Sequence, residues 1–312
     1  MLTCGLVILN YKDFEATTKL LDTIKDFPSL DYIAVVDNLS PNNSYEVLKK
    51  YEGGKISVIQ SDKNGGYSYG NNFGAKFLIN KFHPDIIAIA NPDVVFGNDL
   101  AEKIKELFAE KKEYAVLTGS GTRALLWGKN QRYISHRFVS VLLCLIPFSD
   151  FLKKVMQKLH AYSYYPEKTR NTPGIFHDVW AVEGCLFFIR TEDFVNVGML
   201  DENVFLYGEE FILASKLQDA GRKTGITHEA TFEHNHVYPA GRLDQLESSK
   251  KRNLLMNKSE VYFVEHYVTS NKFLIAAFRL LSKLRTVQIH ASCFVKKLMF
   301  KAGQYFSAPY ES

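Results

Sequence analysis

Asn91-Pro92-Asp93-Val94 follows directly on the apolar run Ile86–Ala90. That run is short, continuous and rich in β-branched residues, which reads as a fully buried strand. Pro92 cannot continue a strand ladder, so the strand stops near Asn91 and presents Asp93 at its carboxyl end. One carboxylate there suffices for a divalent cation: Mg²⁺ takes only one or two, alongside phosphate oxygens and water. Asn91 adds a neutral oxygen beside it. A second acidic feature, Glu209-Glu210, opens a helix expected over residues 209–220 and closed by Gly221. Acids in a first turn are ordinary partners of the helix dipole, which keeps a carboxylate ionised, as a proton acceptor requires. Between the two lies the loop Asn64-Gly65-Gly66-Tyr67-Ser68-Tyr69-Gly70-Asn71-Asn72. Its glycines allow a backbone to approach a ligand closely. Asn71 and Asn72 offer amides to a ligand or, more plainly, a helix cap.

These groups need a scaffold, and the apolar pattern supplies one. Strands are expected over residues 6–11, 32–38 and 56–59, alternating with helical stretches such as the one carrying Leu20, Leu21 and Ile24. Alternation of this kind builds βαβ units and a mostly parallel sheet. Asn10, Asp37-Asn38 and Asp93 then fall along one edge of it, the strand ends outside which open α/β sheets bind ligands. His234 and His236 follow a further expected strand, in an alternating polar stretch.

Taken in order, these segments resemble the family 2 glycosyltransferases, inverting enzymes of the GT-A fold, and within them the rhamnosyltransferase-type branch of bacterial polysaccharide synthesis. The residues that carry the resemblance are Asp37-Asn38-Leu39-Ser40, residues 64–72, Asn91-Pro92-Asp93-Val94, Gly184-Cys185-Leu186-Phe187-Phe188-Ile189-Arg190, Gly198-Met199-Leu200-Asp201-Glu202 and Phe205-Leu206-Tyr207-Gly208-Glu209-Glu210. Each motif is weak alone, whereas the ordered set, spread over about three quarters of the chain, is specific. The resemblance implies an α/β fold: a Rossmann-like, mostly parallel central sheet flanked by helices, with a helical C-terminal extension. It implies donor contacts from Asn10, Asp37, Asn38, Gly66, Asn71, Asn72 and Asn91, and Mg²⁺ or Mn²⁺ held by Asp93 with His234 or His236. It implies a sugar and acceptor pocket around Trp180, Glu183 and Gly184. Glu210 aligns with the catalytic base, and Glu209 stands beside it. Two positions depart from the pattern. Asn91 stands where the family commonly has Asp, removing one charge from the metal motif. Glu210 also stands where Asp is common, and reaches one methylene farther.

Composition sets the remaining bounds. The chain has 312 residues, 46% of them hydrophobic, enough for a sizeable core. Residues 1–240 are expected to form the glycosyltransferase domain, with 1–120 as the nucleotide-binding half and 176–240 as the acceptor and catalytic half. Residues 241–312 form a helical region suited to membrane or dimer contact. A net charge of +4 argues against a nucleic-acid binder. Cys4, Cys144, Cys185 and Cys293 are scattered, with no pair at metal-ligand spacing and no disulfide framework. A reducing cytoplasm fits this. The sequence enters a core strand almost at once, so no signal peptide is expected. No apolar run approaches the roughly 18 residues that span a bilayer. Residues 138–159 and 273–300 mix large apolar side chains with Lys and Arg, which suits peripheral attachment to the anionic inner face of a cell membrane.

The function implied is inverting transfer of a sugar, rhamnose in the first instance, from a nucleoside-diphosphate donor to a growing polysaccharide or lipid-linked glycan. A galactosyl or other hexosyl donor stands beside that reading. So does a non-catalytic sugar-nucleotide binding protein, which the residues Asn91 and Glu210 motivate. A nucleotidyltransferase wants a basic glycine-rich loop near its start, and Leu9-Asn10-Tyr11-Lys12 provides none.

Overall fold

A computed structural model of the chain describes residues 2–121, 124–125, 176–235 and 242–301. The basic-apolar stretch 138–159, Cys144 and His236 lie outside the described residues. The described residues fall into two units: 242–301 form the second, and the rest form the first.

The first unit is built on a sheet of nine strands among the described residues. Four of them open the chain: β1 (Cys4–Asn10), β2 (Tyr32–Asp37), β3 (Ile56–Gln60) and β4 (Ile86–Ala90). They lie in the order β3-β2-β1-β4 and pair in parallel. Their side chains alternate between two cores. Leu6, Ile8, Ile33, Val35, Ile86 and Ala88 join one, under α1 (Phe14–Ile24) and α4 (Asn98–Glu110). Val7, Ala34, Val36, Ile87 and Ile89 join the other, under α3 (Tyr67–Phe82). Both faces of β1, β2 and β4 are covered, which is why those three read as near-continuous apolar runs, whereas the edge strand β3 alternates. The short α2 (Ser44–Leu48) joins β2 to β3.

Beyond β4 the chain makes a short strand, β5 (Val94–Phe96), then α4 and β6 (Tyr114–Ser120). Two short pieces, β7 (Ala124–Leu125) and β9 (Ala181–Val182), pair with each other, and β8 (Phe176–Val179) adds to the main sheet. Strand β10 (Leu186–Arg190) inserts antiparallel between β4 and β6. After α5 (Thr191–Asn196) and α6 (Glu209–Asp219), the long strand β11 (Lys223–His234) runs parallel to β6 and antiparallel to β5. Two registers decide where chemistry can occur. Leu186 pairs with Ala90, so residues 183–185 run past the end of β4. His234 pairs with Val94, so the end of β11 reaches the same turn from the other side.

The second unit comprises α7 (Arg242–Phe263), a π-helical segment (Val264–Val268) and the 30-residue α8 (Lys272–Lys301). Among the described residues, no helix is long and apolar enough to cross a membrane.

Candidate active site

The strand ends of β1 and β2 are wired to each other. Asp37 is fully buried. Its Oδ1 accepts from Asn10 Nδ2 at 2.9 Å, and its Oδ2 accepts from the Ser40 backbone N–H and from Gln60 Nε2, both at 3.0 Å. Asn10 Oδ1 accepts in turn from the Thr17 hydroxyl at 3.0 Å. Asn10 and Asp37, expected to contact the donor, thus have polar atoms engaged with each other and with neighbouring groups at the strand ends. Asn38 reaches over it. Its Nδ2 donates to Asn64 Oδ1 at 3.1 Å and to the Gly66 carbonyl at 3.2 Å, which fixes the glycine-rich loop above β2.

That loop passes into α3 at Gly66, whose φ of 91° disfavours a residue with a side chain. A Cβ there would also lie 2.1 Å from the Phe205 carbonyl oxygen. Gly66 is therefore required by contact with the 205 turn, and the Tyr67 N–H donates to that same carbonyl at 2.8 Å. Gly70 differs from expectation in a similar way: it faces Leu9 across the helix–sheet contact rather than a ligand. Asn71 and Asn72 also depart from their expected roles. Neither caps the helix, since both lie inside α3 and are buried. Asn72 donates to the Leu200 carbonyl and to Glu202 Oε1, both at 2.9 Å, and its Oδ1 accepts from the Leu200 N–H at 3.1 Å. Its amide is saturated as a clamp between α3 and the 200–202 turn. Asn71 Nδ2 donates to the Tyr67 carbonyl at 3.0 Å, one turn back in the same helix.

Three chain segments converge on the turn after β4. The Asn91 N–H donates to the Cys185 carbonyl at 2.8 Å, tying the turn to the segment before β10. Asp93 Oδ1 lies 3.2 Å from His234 Nε2, and the Asp93 carbonyl accepts from the Asn235 N–H at 2.9 Å. Glu183, Cys185 and His234 each bring one ligand atom within 4.8 Å of the others. Oxygen, sulfur and nitrogen donors from Glu183, Cys185 and His234 thus gather near the end of β4, with Asp93 beside His234. The set fits a divalent cation. Its imidazole and thiol suit Mn²⁺ or Zn²⁺ better than Mg²⁺, which prefers oxygen alone. Cys185 had no signal in the sequence beyond its place in the 184–190 motif, because metal-ligand spacing looks for ligands close in the chain. Here the partners lie 49 residues apart, 185 to 234.

Gly184 sits between two of these ligands and turns the other way. Its N–H donates to Glu210 Oε1 at 3.1 Å, and its carbonyl accepts from the Tyr67 hydroxyl. A Cβ on Gly184 would lie 3.1 Å from Glu210 Oε1 and 3.2 Å from the Tyr67 oxygen, so the position is as small as it can be. Glu210 is half-buried, and burial raises its pKa from the ordinary value, opposed by the N–H groups of Glu210 itself, Gly184 and Gly208. Glu209 points inward and is only 4% exposed; its Oε2 has no hydrogen-bond partner among the described residues. Burial, and then the charge of Glu210, push its pKa well above the usual carboxylate range. The two acids are thus told apart by environment: Glu209 is the more deeply buried, and Glu210 is the one held by a backbone donor. Burial and the neighbouring acids likewise keep the Tyr67 phenol protonated, as its donation to Gly184 requires. Tyr67, Gly184, Glu209 and Glu210 share a cavity of about 20 Å³, room for one water. Trp180 stacks on Phe211, ring centroids 5.7 Å apart, and is buried. One face of its indole is thus covered within the protein.

The model of the family described as Glycosyl transferase family 2 matches residues 6–192. Among curated relatives, the low-salt glycan biosynthesis hexosyltransferase Agl10 of Haloferax volcanii is 24% identical over 208 residues, 66% of this chain. The match spans 58% of that relative's own length. Rhamnosyltransferase WbbL of Escherichia coli is 26% identical over 223 residues, covering 69% of this chain and 77% of WbbL. Among solved structures, GalNAc-T7 with UDP, GalNAc and Mn²⁺ superposes with a TM-score of 0.58 at 12% identity, over 91% of this chain and 55% of that one. The mannosyltransferase PcManGT of Pyrobaculum calidifontis, in complex with GDP-Man and Mn²⁺, gives 0.52 at 13% identity, over 99% and 77%. At such identities these structures show a shared GT-A fold.

Proposed function

Because the chain belongs to glycosyl transferase family 2, we propose that it moves a sugar, with inversion, from a nucleoside-diphosphate donor to a growing cell-surface polysaccharide or lipid-linked glycan. The observation that carries this reading is the tripeptide Glu183-Gly184-Cys185. Its outer members bring ligand atoms within 4.8 Å of His234, which lies 3.2 Å from Asp93, and its middle member holds Glu210. A cation site and a proton acceptor are thus spaced by a single rigid segment.

In the proposed reaction Glu210 takes the proton of the acceptor hydroxyl as its oxygen bonds to the anomeric carbon, while the bond from that carbon to the diphosphate breaks. A raised pKa makes Glu210 a stronger base, provided that it is ionised at the working pH. Asp93, His234, Glu183 and Cys185 would hold the cation, whose chemistry is to neutralise charge on the departing diphosphate. Asn38 and the loop it fixes shape the base and ribose side of the crevice. Rhamnose from a deoxythymidine-diphosphate donor is the first choice, supported by the motif resemblance and by the name of the WbbL relative. A galactosyl or other hexosyl donor is the second, supported by the hexosyltransferase name of Agl10. The setting proposed is the cytoplasm, peripheral to the inner face of the cell membrane, where a lipid-linked acceptor would be met.

The test is a thermal-shift screen of nucleotide sugars with and without Mn²⁺. A ligand at a hundred times its dissociation constant stabilises the native state by about 2.7 kcal/mol. One donor is expected to raise the melting temperature strongly only when Mn²⁺ is present, and Asp93→Ala should abolish the metal-dependent part. No shift with any nucleotide sugar would contradict the reading, and an equal shift in Asp93→Ala would remove Asp93 from the cation site.

A further inference from the structure

We propose that α8 lies flat on an anionic lipid surface through its outward face, attaching the chain where its acceptor resides. The inference deepens the reading of a lipid-linked acceptor given above and rests on it for its purpose, though not for its evidence.

The evidence is an asymmetry around one helix. Residues 272–301 contain seven Lys and Arg and no Asp or Glu. One side of α8 is fastened within its own unit. Arg279 makes a two-pronged contact with Glu265 at 2.6 and 2.9 Å, Arg285 donates to Glu260 at 2.9 Å, and Lys297 pairs with Glu247. Asn257 Nδ2 donates to the Ser282 carbonyl at 3.0 Å, and Phe278, Leu281 and Cys293 are buried on this side. The other side carries Phe273, Leu280, Leu284, Val287, Phe294 and Leu298, all exposed, Phe273 to 88%. At 3.6 residues per turn these six fall within an arc of roughly 100°. A bare apolar stripe therefore runs the length of the helix, opposite the side that is pinned. Lys272 and Lys283 border it and are exposed.

Residues 273, 280, 287 and 294 recur every seven positions, a spacing that also suits pairing with a second copy of the helix. Charge decides between the two occupants. With no acid anywhere on α8, a parallel in-register pair would set Lys272 and Lys283 against their own copies, and in neither direction would the facing helix offer them an opposite charge. An anionic lipid surface meets the stripe with acyl chains and the flanking bases with headgroups, the arrangement of an interfacial amphipathic helix. The helix is not apolar enough to span, which leaves it on the surface.

The experiment is co-sedimentation of the full chain with vesicles of neutral phosphatidylcholine and with vesicles containing phosphatidylglycerol. Binding is expected only to the anionic vesicles and should weaken in high salt. Lys272→Ala with Lys283→Ala should lower partitioning about 30-fold. Leu280→Ser with Val287→Ser should remove it, while the nucleotide-sugar thermal shift of both variants stays at the wild-type value. Retention of that shift separates loss of docking from loss of the transferase site. Equal binding to neutral vesicles, or none to either kind, would overturn the proposal. So would a dimer in sedimentation velocity that the Ser variants dissociate, which would hand the stripe to a second copy.

Discussion

At the scale of single residues, two neighbouring glutamates do different work because their surroundings differ. Glu209 is buried beside a water-sized cavity, and Glu210 is held by the Gly184 N–H. The raised pKa of Glu209 has a consequence for stability. Above the ordinary carboxylate value of 4.5 the unfolded chain loses this proton while the native state keeps it. Stability therefore falls as pH rises from 4.5 to the raised value, and levels beyond it. Glu209→Gln lacks that loss. Urea melts of the two proteins across pH should nearly coincide near 4.5 and then separate, with the Gln variant more stable. Curves that stay parallel would mean that Glu209 is ionised in the fold. The sequence offered Glu210 and Asp93 as candidates because each belongs to a motif. It gave Cys185 no ligand role, since its partners Glu183 and His234 meet only after β10 and β11 have paired with β4 and β5. It offered Asn71 and Asn72 to a ligand or a helix cap, because the loop pattern did not show that the helix already begins at Tyr67 and buries both.

At the scale of elements, α3 and the turns facing it form one assembly. Asn72 holds Leu200 by both backbone groups, and Gly66 admits the Phe205 carbonyl. The 200–208 segment that introduces Glu209 and Glu210 is thus located by the helix that follows the glycine-rich loop. Asn72→Ala would leave the buried N–H and carbonyl of Leu200 without these bonds. A loss of about 2–3 kcal/mol is expected in urea unfolding, from the cost of unsatisfied buried groups. A change below about 0.5 kcal/mol would show that water or a shifted turn replaces the amide. The strands of the first half were legible because burial on both faces makes β1, β2 and β4 near-continuous apolar runs of five to seven residues, while the edge strand β3 alternates. The position of β10 was not. Leu186–Arg190 is as apolar as the parallel strands, and nothing in its pattern says that it enters antiparallel between β4 and β6.

At the scale of the whole molecule, the family's order of motifs gave the α/β fold, and the strand pairings explain why that order yields a site. Asp93, His234 and Glu183-Gly184-Cys185 lie on segments far apart in sequence, and the sheet brings them to one end of β4. Glu210 then joins them through one hydrogen bond. The C-terminal helices were legible as basic and apolar, but not as a pinned side and a bare side, because that division depends on which acids α7 and the π-helical segment present to α8. The central claim is that Glu210, carried next to the cation ligands by Gly184, takes the acceptor proton. The direct measurement is sugar transfer by Glu210→Gln, with donor affinity determined on the same preparation. Donor affinity should be kept and turnover should fall about 10²-fold or more, the scale of losing a general base. Turnover near the wild-type value in Glu210→Gln, with Glu209→Gln inactive instead, would contradict it.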